Sequence, residues 1–404
     1  MILPAADSRA LSAGRIIRPF KGARKAIGRP NPRKNFGCVR RRRPPGWWLG
    51  FTGPVEVDMN ERFYRSSLVA AALALAACSE SSPTGEAAID TTAPADASGW
   101  RHPRTAWGDP DLQGMWPIIN LISTPFQRDP KYGDRELLTD EEYAATQQRL
   151  EARDQRYQDE IKSNKMGMGH WAEASHNNDA ARLTSLVVEP KDGRFPELTE
   201  RGKELASKMS SSWSGTQFDK PTDFDTWDRC ITRGLPPSMF PFNYNNGIEI
   251  IQAPGHVIVR LEMIHEARVI PVDGRAQLDP AIKQWMGESR GHWEGNTLVV
   301  ETTNFNGIGG MTNVGIPGSP RGDTPTTTNM KITERFTRVD DDTIEYEMFV
   351  EDPEVLTQPW KARYPMQRDD SYQFFEYACH EDNTAVRNFI VTSRYERAQA
   401  AKQQ

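Results

Sequence analysis

The sequence predicts a mainly β protein with α-helices: an antiparallel β meander closed into a barrel, with helices packed outside it. Three observations predict this. From residue 247 onward apolar residues recur with a period of two, as in Val257, Val259 and Leu261 or Ile344, Tyr346, Met348 and Val350, the spacing of half-buried strands. The breaks between these runs carry hairpin chemistry: Pro254-Gly255, Glu294-Gly295-Asn296 and Asp340-Asp341-Asp342. Helical patterns are confined to the first half. Successive strands joined by short turns pair antiparallel, and a long bent meander buries its apolar face by closing on itself.

Ahead of the globular part, residues 66–78 read Ser-Ser-Leu-Val-Ala-Ala-Ala-Leu-Ala-Leu-Ala-Ala-Cys, after Arg62 and Arg65. A basic start and a short apolar run make an export signal. It is too short to span a bilayer, which needs about 20 apolar residues. Leu75-Ala76-Ala77-Cys78 resembles the lipobox of bacterial lipoproteins. The resemblance implies cleavage before Cys78, a diacylglycerol on its sulfur and anchoring in lipid. Ser79 after it implies the outer membrane, facing the periplasm. Residues 59–77 are then the signal peptide. Residues 78–100, rich in Ser, Thr, Ala, Pro and Gly, are a lipidated tether. Residues 1–58, with Arg40 to Arg43, read either as a basic nucleic-acid arm or as an extension from a mis-called start. A start at Met59 leaves a well-formed signal peptide, so the second reading is preferred.

The globular unit takes in a helical and loop-rich part, 101–246, and the meander, 247–395. Asp111 to Trp116 reads as a first strand. Thr139 caps a helix, and Glu142 three residues on completes a capping box. Tyr143, Leu150, Tyr157 and Ile161 form a thin stripe on that charged helix, which therefore packs on the surface of something else. Thr199 caps a second helix running to about Met209. The sequences from Pro190 to Arg194 and from Pro271 to Arg275 share a Pro-x-Asp-Gly-Arg turn. Strands follow at 248–252, 256–264, 267–272, 292–293, 297–305, 331–338, 343–350 and 372–379.

The chain carries 50 Lys+Arg and 55 Asp+Glu, of which 15 and 4 precede Cys78, so the remainder has a formal charge of −16. Such a surface repels nucleic acid. Beyond Cys38 and Cys78 the cysteines are Cys230 and Cys379. An oxidising periplasm favours a disulfide between them; two buried thiols or a catalytic thiol are the alternatives.

Alternation places three ionisable groups on apolar faces: His265 continuing Val257 to Met263, Glu334 between Ile332 and Phe336, and Glu376 with Tyr372 and Phe374. Buried charge is costly without partners. Converging, these would form an acid–base pair for catalysis; the alternative is a structural network with Arg335 and Arg338. Met263 to Arg268 contains His-Glu but not H-E-x-x-H, and the histidines show no ligand spacing, so neither metal nor cofactor is expected. Gly287-Glu288-Ser289-Arg290-Gly291 matches G-x-S-x-G but lacks the strand–turn–helix context of a nucleophile elbow. Tyr244 and Asn245, after a proline-rich aromatic loop, are candidates for a ligand's polar groups.

Several runs together resemble a family of secreted, functionally unassigned Gram-negative bacterial proteins. They are Trp107 to Gly114, Cys230 to Pro236, Glu262 to Arg268, Ser289 to Gly295, Val299 to Phe305 and Tyr377 to Glu381. The resemblance implies an envelope location and a shared fold, and no activity. Gly114-Met115-Trp116 is similar to the G-x-W of lipocalin first strands. This implies a calycin-like barrel with Trp116 on its floor, as a ligand contact. The insertion 117–246 departs from that pattern.

The expected function is binding of a small, largely apolar molecule in a barrel cavity. An enzyme using His265 with Glu334 or Glu376, as lyase, isomerase or hydrolase, and a structural envelope lipoprotein are the alternatives. Cys78→Ser is expected to move the protein from the membrane pellet to the soluble fraction. Unchanged pelleting after carbonate washing would overturn the anchor.

Overall fold

The computed structural model describes residues 99–403, apart from 166, 171, 174–179, 216, 313–323 and 382. The extension, the signal peptide, Cys78, the tether up to residue 98 and His176 lie outside the described residues. The elements in chain order are β1 (Gly114–Met115), α1 (Asp140–Lys162), β2 (Val187–Glu189), α2 (Glu200–Ala206), β3 (Ile248–Ala253), β4 (His256–Leu261) and β5 (Ala267–Pro271). Then come β6 (Glu288–Glu294), β7 (Thr297–Thr303), β8 (Gly310–Thr312), β9 (Thr324–Pro325), β10 (Lys331–Arg338), β11 (Thr343–Glu351), β12 (Trp360–Gln367) and α3 (Ala385–Gln403). Among the described residues the fold is mainly antiparallel β with three α-helices. One sheet has the order β1-β3-β4-β5, a second β2-β12-β11-β10-β7-β6, and β8 pairs β9.

The predicted hairpins form where the turn chemistry stands. Gly255 and Gly295 take φ of 76° and 63° between β3 and β4 and between β6 and β7, a conformation that a side chain would oppose. In α1, Thr139 accepts from the Glu142 N–H at 3.3 Å and Glu142 accepts from the Thr139 N–H at 2.9 Å, the full capping box. Only Leu150 of its apolar stripe is buried. Thr199 caps α2 through the Gly202 N–H at 2.9 Å.

Period-two alternation delivers one buried face. Across β10, β11 and β12 the rows are Ile332–Val350–Trp360, Glu334–Met348–Ala362 and Phe336–Tyr346–Tyr364. All nine side chains are buried. Residues of both large sheets, including Val257, Val259 and Ile270 of one and Phe336, Tyr346 and Met366 of the other, share a single core.

The closed barrel is not found among the described residues. The two sheets are separate, and β5 and β6 lie near each other without a ladder between them. At the far rims β1 and β2 have two and three residues, too little backbone to carry a closing ladder. β12 was not expected as a strand. Its Trp360, Ala362, Tyr364 and Met366 alternate cleanly, but Pro365 interrupts the run. The fold accepts that proline because β2 pairs only with Lys361 and Ala362, leaving β12 as an edge at Pro365. Residues 372–379 are not a strand. Their backbone is held by side chains and a disulfide in place of a ladder. Trp116 is fully buried, its indole N–H donating to the Leu112 carbonyl at 2.9 Å. It packs in the core and lines none of the clefts described below.

Glu334 has a structural partner that the sequence did not reveal. It is 0 % exposed. Its carboxylate accepts from Arg268 Nη1 at 2.9 Å, from Arg268 Nη2, and from the Tyr346 hydroxyl at 2.7 Å. Ser289 and Thr302 also contact Arg268 Nη2 and each other, so Ser289 is a strand residue in a buried network. Removing one partner of such a pair leaves an uncompensated charge, at a cost of about 3–5 kcal/mol. Arg268→Met is therefore expected to lose about that much stability in urea unfolding. The double variant Arg268→Met/Glu334→Met should lose less than the single one. A double variant that loses the sum of both would show that the pair is not the reason.

Candidate functional site

β4 ends at Leu261, and the next residue organises the region beyond it. Glu262 is 0 % exposed and its carboxylate accepts four hydrogen bonds. Asn245 Nδ2 at 3.0 Å and the Phe375 N–H at 2.9 Å reach Oε1. The Gly247 N–H at 3.0 Å and the Tyr372 hydroxyl at 2.6 Å reach Oε2. A buried carboxylate needs such a set of donors. Glu173 stands beside it and accepts from the Asn245 N–H, the Asn246 N–H at 3.2 Å and Asn246 Nδ2 at 2.7 Å. The Tyr372 hydroxyl also lies 3.3 Å from Glu173 Oε1. A hydroxyl has one proton to give, and the shorter contact takes it to Glu262. Burial, opposed by Asn246 and aided by the like charge of Glu262, raises the Glu173 pKa above the usual carboxylate range.

After Glu262 the chain makes a short 3-10 turn, Met263–His265, in which Ile264 has φ 59° and His265 φ 45°. Left-handed backbone at a β-branched residue is strained. Ile264 is held there by a second buried cluster, Phe242, Met263 and Ile264, against which Trp227, Tyr244, Tyr377 and Cys379 pack. The Phe242 ring meets those of Trp227 and Tyr244 edge-on, with centroids 4.9 Å away in each case. Cys230 and Cys379 are joined as a disulfide across 149 residues of sequence, fastening the C-terminal segment to the Trp227 loop.

In front of this cluster lies a cleft of about 730 Å³. Its aromatic lining is Trp213, Trp227, Tyr244 and Tyr377, and its polar lining includes Asp228, Glu376, Asn383 and Asn388. Trp213 is 60 % exposed. The Trp227 indole donates to the Tyr377 hydroxyl at 3.1 Å. Asp228 is engaged by the Ser212 N–H at 2.7 Å and the Ser212 hydroxyl. Burial pushes the Tyr244 hydroxyl up to about 12, and its hydrogen bond with the Tyr377 hydroxyl adds to the rise.

The structure brings some of the expected residues together. Tyr244 and Glu376 line the cleft, with Cys379 between its wall and the disulfide. His265 is exposed, because the strand that was to continue its face stops at Leu261. Its Nδ1 lies 2.9 Å from the Tyr377 carbonyl, behind the cleft. Asn245 serves the Glu262 hub. Glu334 and Trp116 lie in the main core, so His265, Glu334 and Glu376 do not form one constellation: Glu334 is bound to Arg268 and Tyr346, while Glu376 is exposed at the cleft. Among the described residues, no three His, Cys, Asp or Glu side chains gather as a metal would require.

Sequence reasoning missed Glu173, Glu262, Trp213 and Trp227. Glu262 sits at an outward position of the alternation, and only the departure of the chain from the sheet buries it. Trp213 did carry a signal, a large apolar ring in the serine-rich run Ser210-Ser211-Ser212-Trp213-Ser214.

Glu173 gives a pH dependence with a definite sign. Its pKa is higher folded than unfolded, so its contribution to stability is fully present below the unfolded value near 4.5 and is lost as pH rises through the folded value. Glu173→Gln is expected to flatten the fall in stability above pH 4.5, read from urea unfolding at several pH values. An unchanged slope would remove Glu173 as its source. Comparison with protein-family models, with curated proteins and with solved structures finds no match to this chain.

Proposed function

We propose that this is a lipid-anchored envelope protein that binds a small, largely apolar, ring-bearing molecule, and that the aromatic cleft is its seat. The observation that carries the reading is the convergence of Trp213, Trp227, Tyr244 and Tyr377 on one cleft, braced by a buried cluster and a disulfide. Rings stacked on such walls bind through dispersion and quadrupole attraction, with polar neighbours setting orientation. The cleft, and not a barrel interior, is the seat in this reading. The interior between the sheets is filled by large side chains such as Phe336, Tyr346 and Trp360 and by the Arg268–Glu334 pair.

The acid–base enzyme is the weaker reading, because Glu334 is committed to Arg268 and Tyr346. Native mass spectrometry of the exported Cys78→Ser protein is expected to show a non-covalent adduct. Removing one stacking ring costs about 0.5–1.5 kcal/mol, so Trp213→Ala should weaken binding about 2- to 13-fold. No adduct, together with no quenching of tryptophan fluorescence by any ring-bearing compound in a screen, would overturn the assignment.

A further inference from the structure

Arg233 lies behind the Trp227 wall of the cleft and is, among the described residues, the one buried cation of that region. It is 5 % exposed. Its guanidinium carbon sits 5.5 Å from the Trp227 ring and 5.4 Å from the Phe242 ring. Its Nη1 donates to the Phe240 carbonyl at 2.9 Å. Its Nε and Nη2 are buried and have no hydrogen-bond partner among the described residues. Arg233 also makes no ion pair among the described residues; the hydroxyls of Tyr244, Tyr377 and Tyr364 act on its charge, and its backbone N–H is held by the half-buried carboxylate of Glu266. Burial lowers its pKa to about 10, so it is charged at neutral pH.

The other enclosed arginines show how unusual this is. Arg268 holds Glu334. Arg128 donates to the Thr184 hydroxyl and to the carbonyls of Gly133 and Lys191. Among the described residues Arg128 keeps one unpartnered nitrogen, Nη2, and Arg268 one, Nε, whereas Arg233 is left with both nitrogens of one edge unsatisfied. Nε and Nη2 form the side-on edge of a guanidinium, two parallel N–H groups spaced to meet both oxygens of a carboxylate. Buried Gly234 adds room: a Cβ there would meet nothing within 4 Å outside its chain neighbours. The Trp227, Tyr244 and Tyr377 side chains around Arg233 also line the cleft, so the cation stands one aromatic layer from it.

We propose that the ligand of the cleft is an organic acid, whose carboxylate passes Trp227 and Tyr244 to pair side-on with Arg233 while its apolar body stays on the aromatic walls. The inference rests on the cleft being a ligand seat. The cleft's own acids do not oppose it. Asp228 is engaged by Ser212, and Glu376 is exposed at the lip, where water screens its charge. The buried guanidinium favours an anionic ligand over an uncharged one of the same shape, because a carboxylate meets both N–H groups of the edge at once and adds charge to the hydrogen bonds.

The test compares benzoate with benzyl alcohol, its uncharged match, on the exported Cys78→Ser protein, by calorimetry and thermal unfolding at pH 7. Benzoate is expected to bind at least 10-fold tighter, to raise Tm, and to weaken as salt is added. Arg233→Met should abolish the preference for benzoate and, having no buried charge to satisfy, should melt no lower than the parent without ligand. Trp213→Ala should weaken both compounds alike. Equal affinity for the two compounds on the parent protein would overturn the acid inference and leave the aromatic cleft standing. Failure of both to bind would overturn the acid inference, and the cleft falls with it only if the screen of ring-bearing compounds is also blank. If Arg233→Met does not fold, the comparison on the parent protein still decides.

Discussion

The carboxylate of Glu262 is the constraint on which the region around the cleft depends. Its four donors come from Asn245, Gly247, Tyr372 and Phe375, residues of two segments that form no ladder of their own. A loop of this kind ordinarily satisfies its backbone with water. Here Glu262 accepts from the Gly247 and Phe375 N–H groups and its neighbour Glu173 from those of Asn245 and Asn246, and the cost of burying Glu262 is offset only while its four donors stay in place. The two glutamates therefore do for residues 245–247 and for Phe375 what a neighbouring strand does for β10.

The sheets illustrate the opposite economy. Their order follows from backbone pairing and alternation, and the Arg268–Glu334 pair lies within the core between them. Arg268 and Glu334 sit on different sheets and face the same interior. Their bond is a registration device: it is satisfied only when β5 and β10 lie at one particular offset.

Much of the sheet was legible in the sequence because its cause is local. Alternation along 331–338 and 343–350, and glycines at the turns, need no knowledge of distant residues. The capping box of Thr139 and Glu142 is local in the same sense. What was illegible depends on long-range events. Residues 372–379 alternate like a strand but find no ladder, since Glu262 and Cys230 claim them. His265 was placed on a buried face by a periodicity that ends four residues earlier. β12 was hidden by Pro365, whose tolerance depends on the short reach of β2. Of the cleft, Tyr244, Glu376 and the cysteine pair were readable from residue chemistry. Trp213, Trp227 and Arg233 were not, because their meaning arises only when loops distant in sequence meet.

The Cys230–Cys379 bond has a consequence for the order in which the molecule comes into being. The walls of the cleft come from residues 212–244 and 376–388, and the strands of both sheets from β3 to β12 are encoded between them. Closing so long a loop costs configurational entropy that must be met before the contacts it brings can stabilise anything. The sheets can therefore assemble first, and the cleft is completed last, when the tail of the chain arrives and two thiols give up their hydrogens. A newly made chain in a reducing environment would own its scaffold before it owned its site. Oxidation then serves as the maturation step that turns a folded chain into one with a finished cleft.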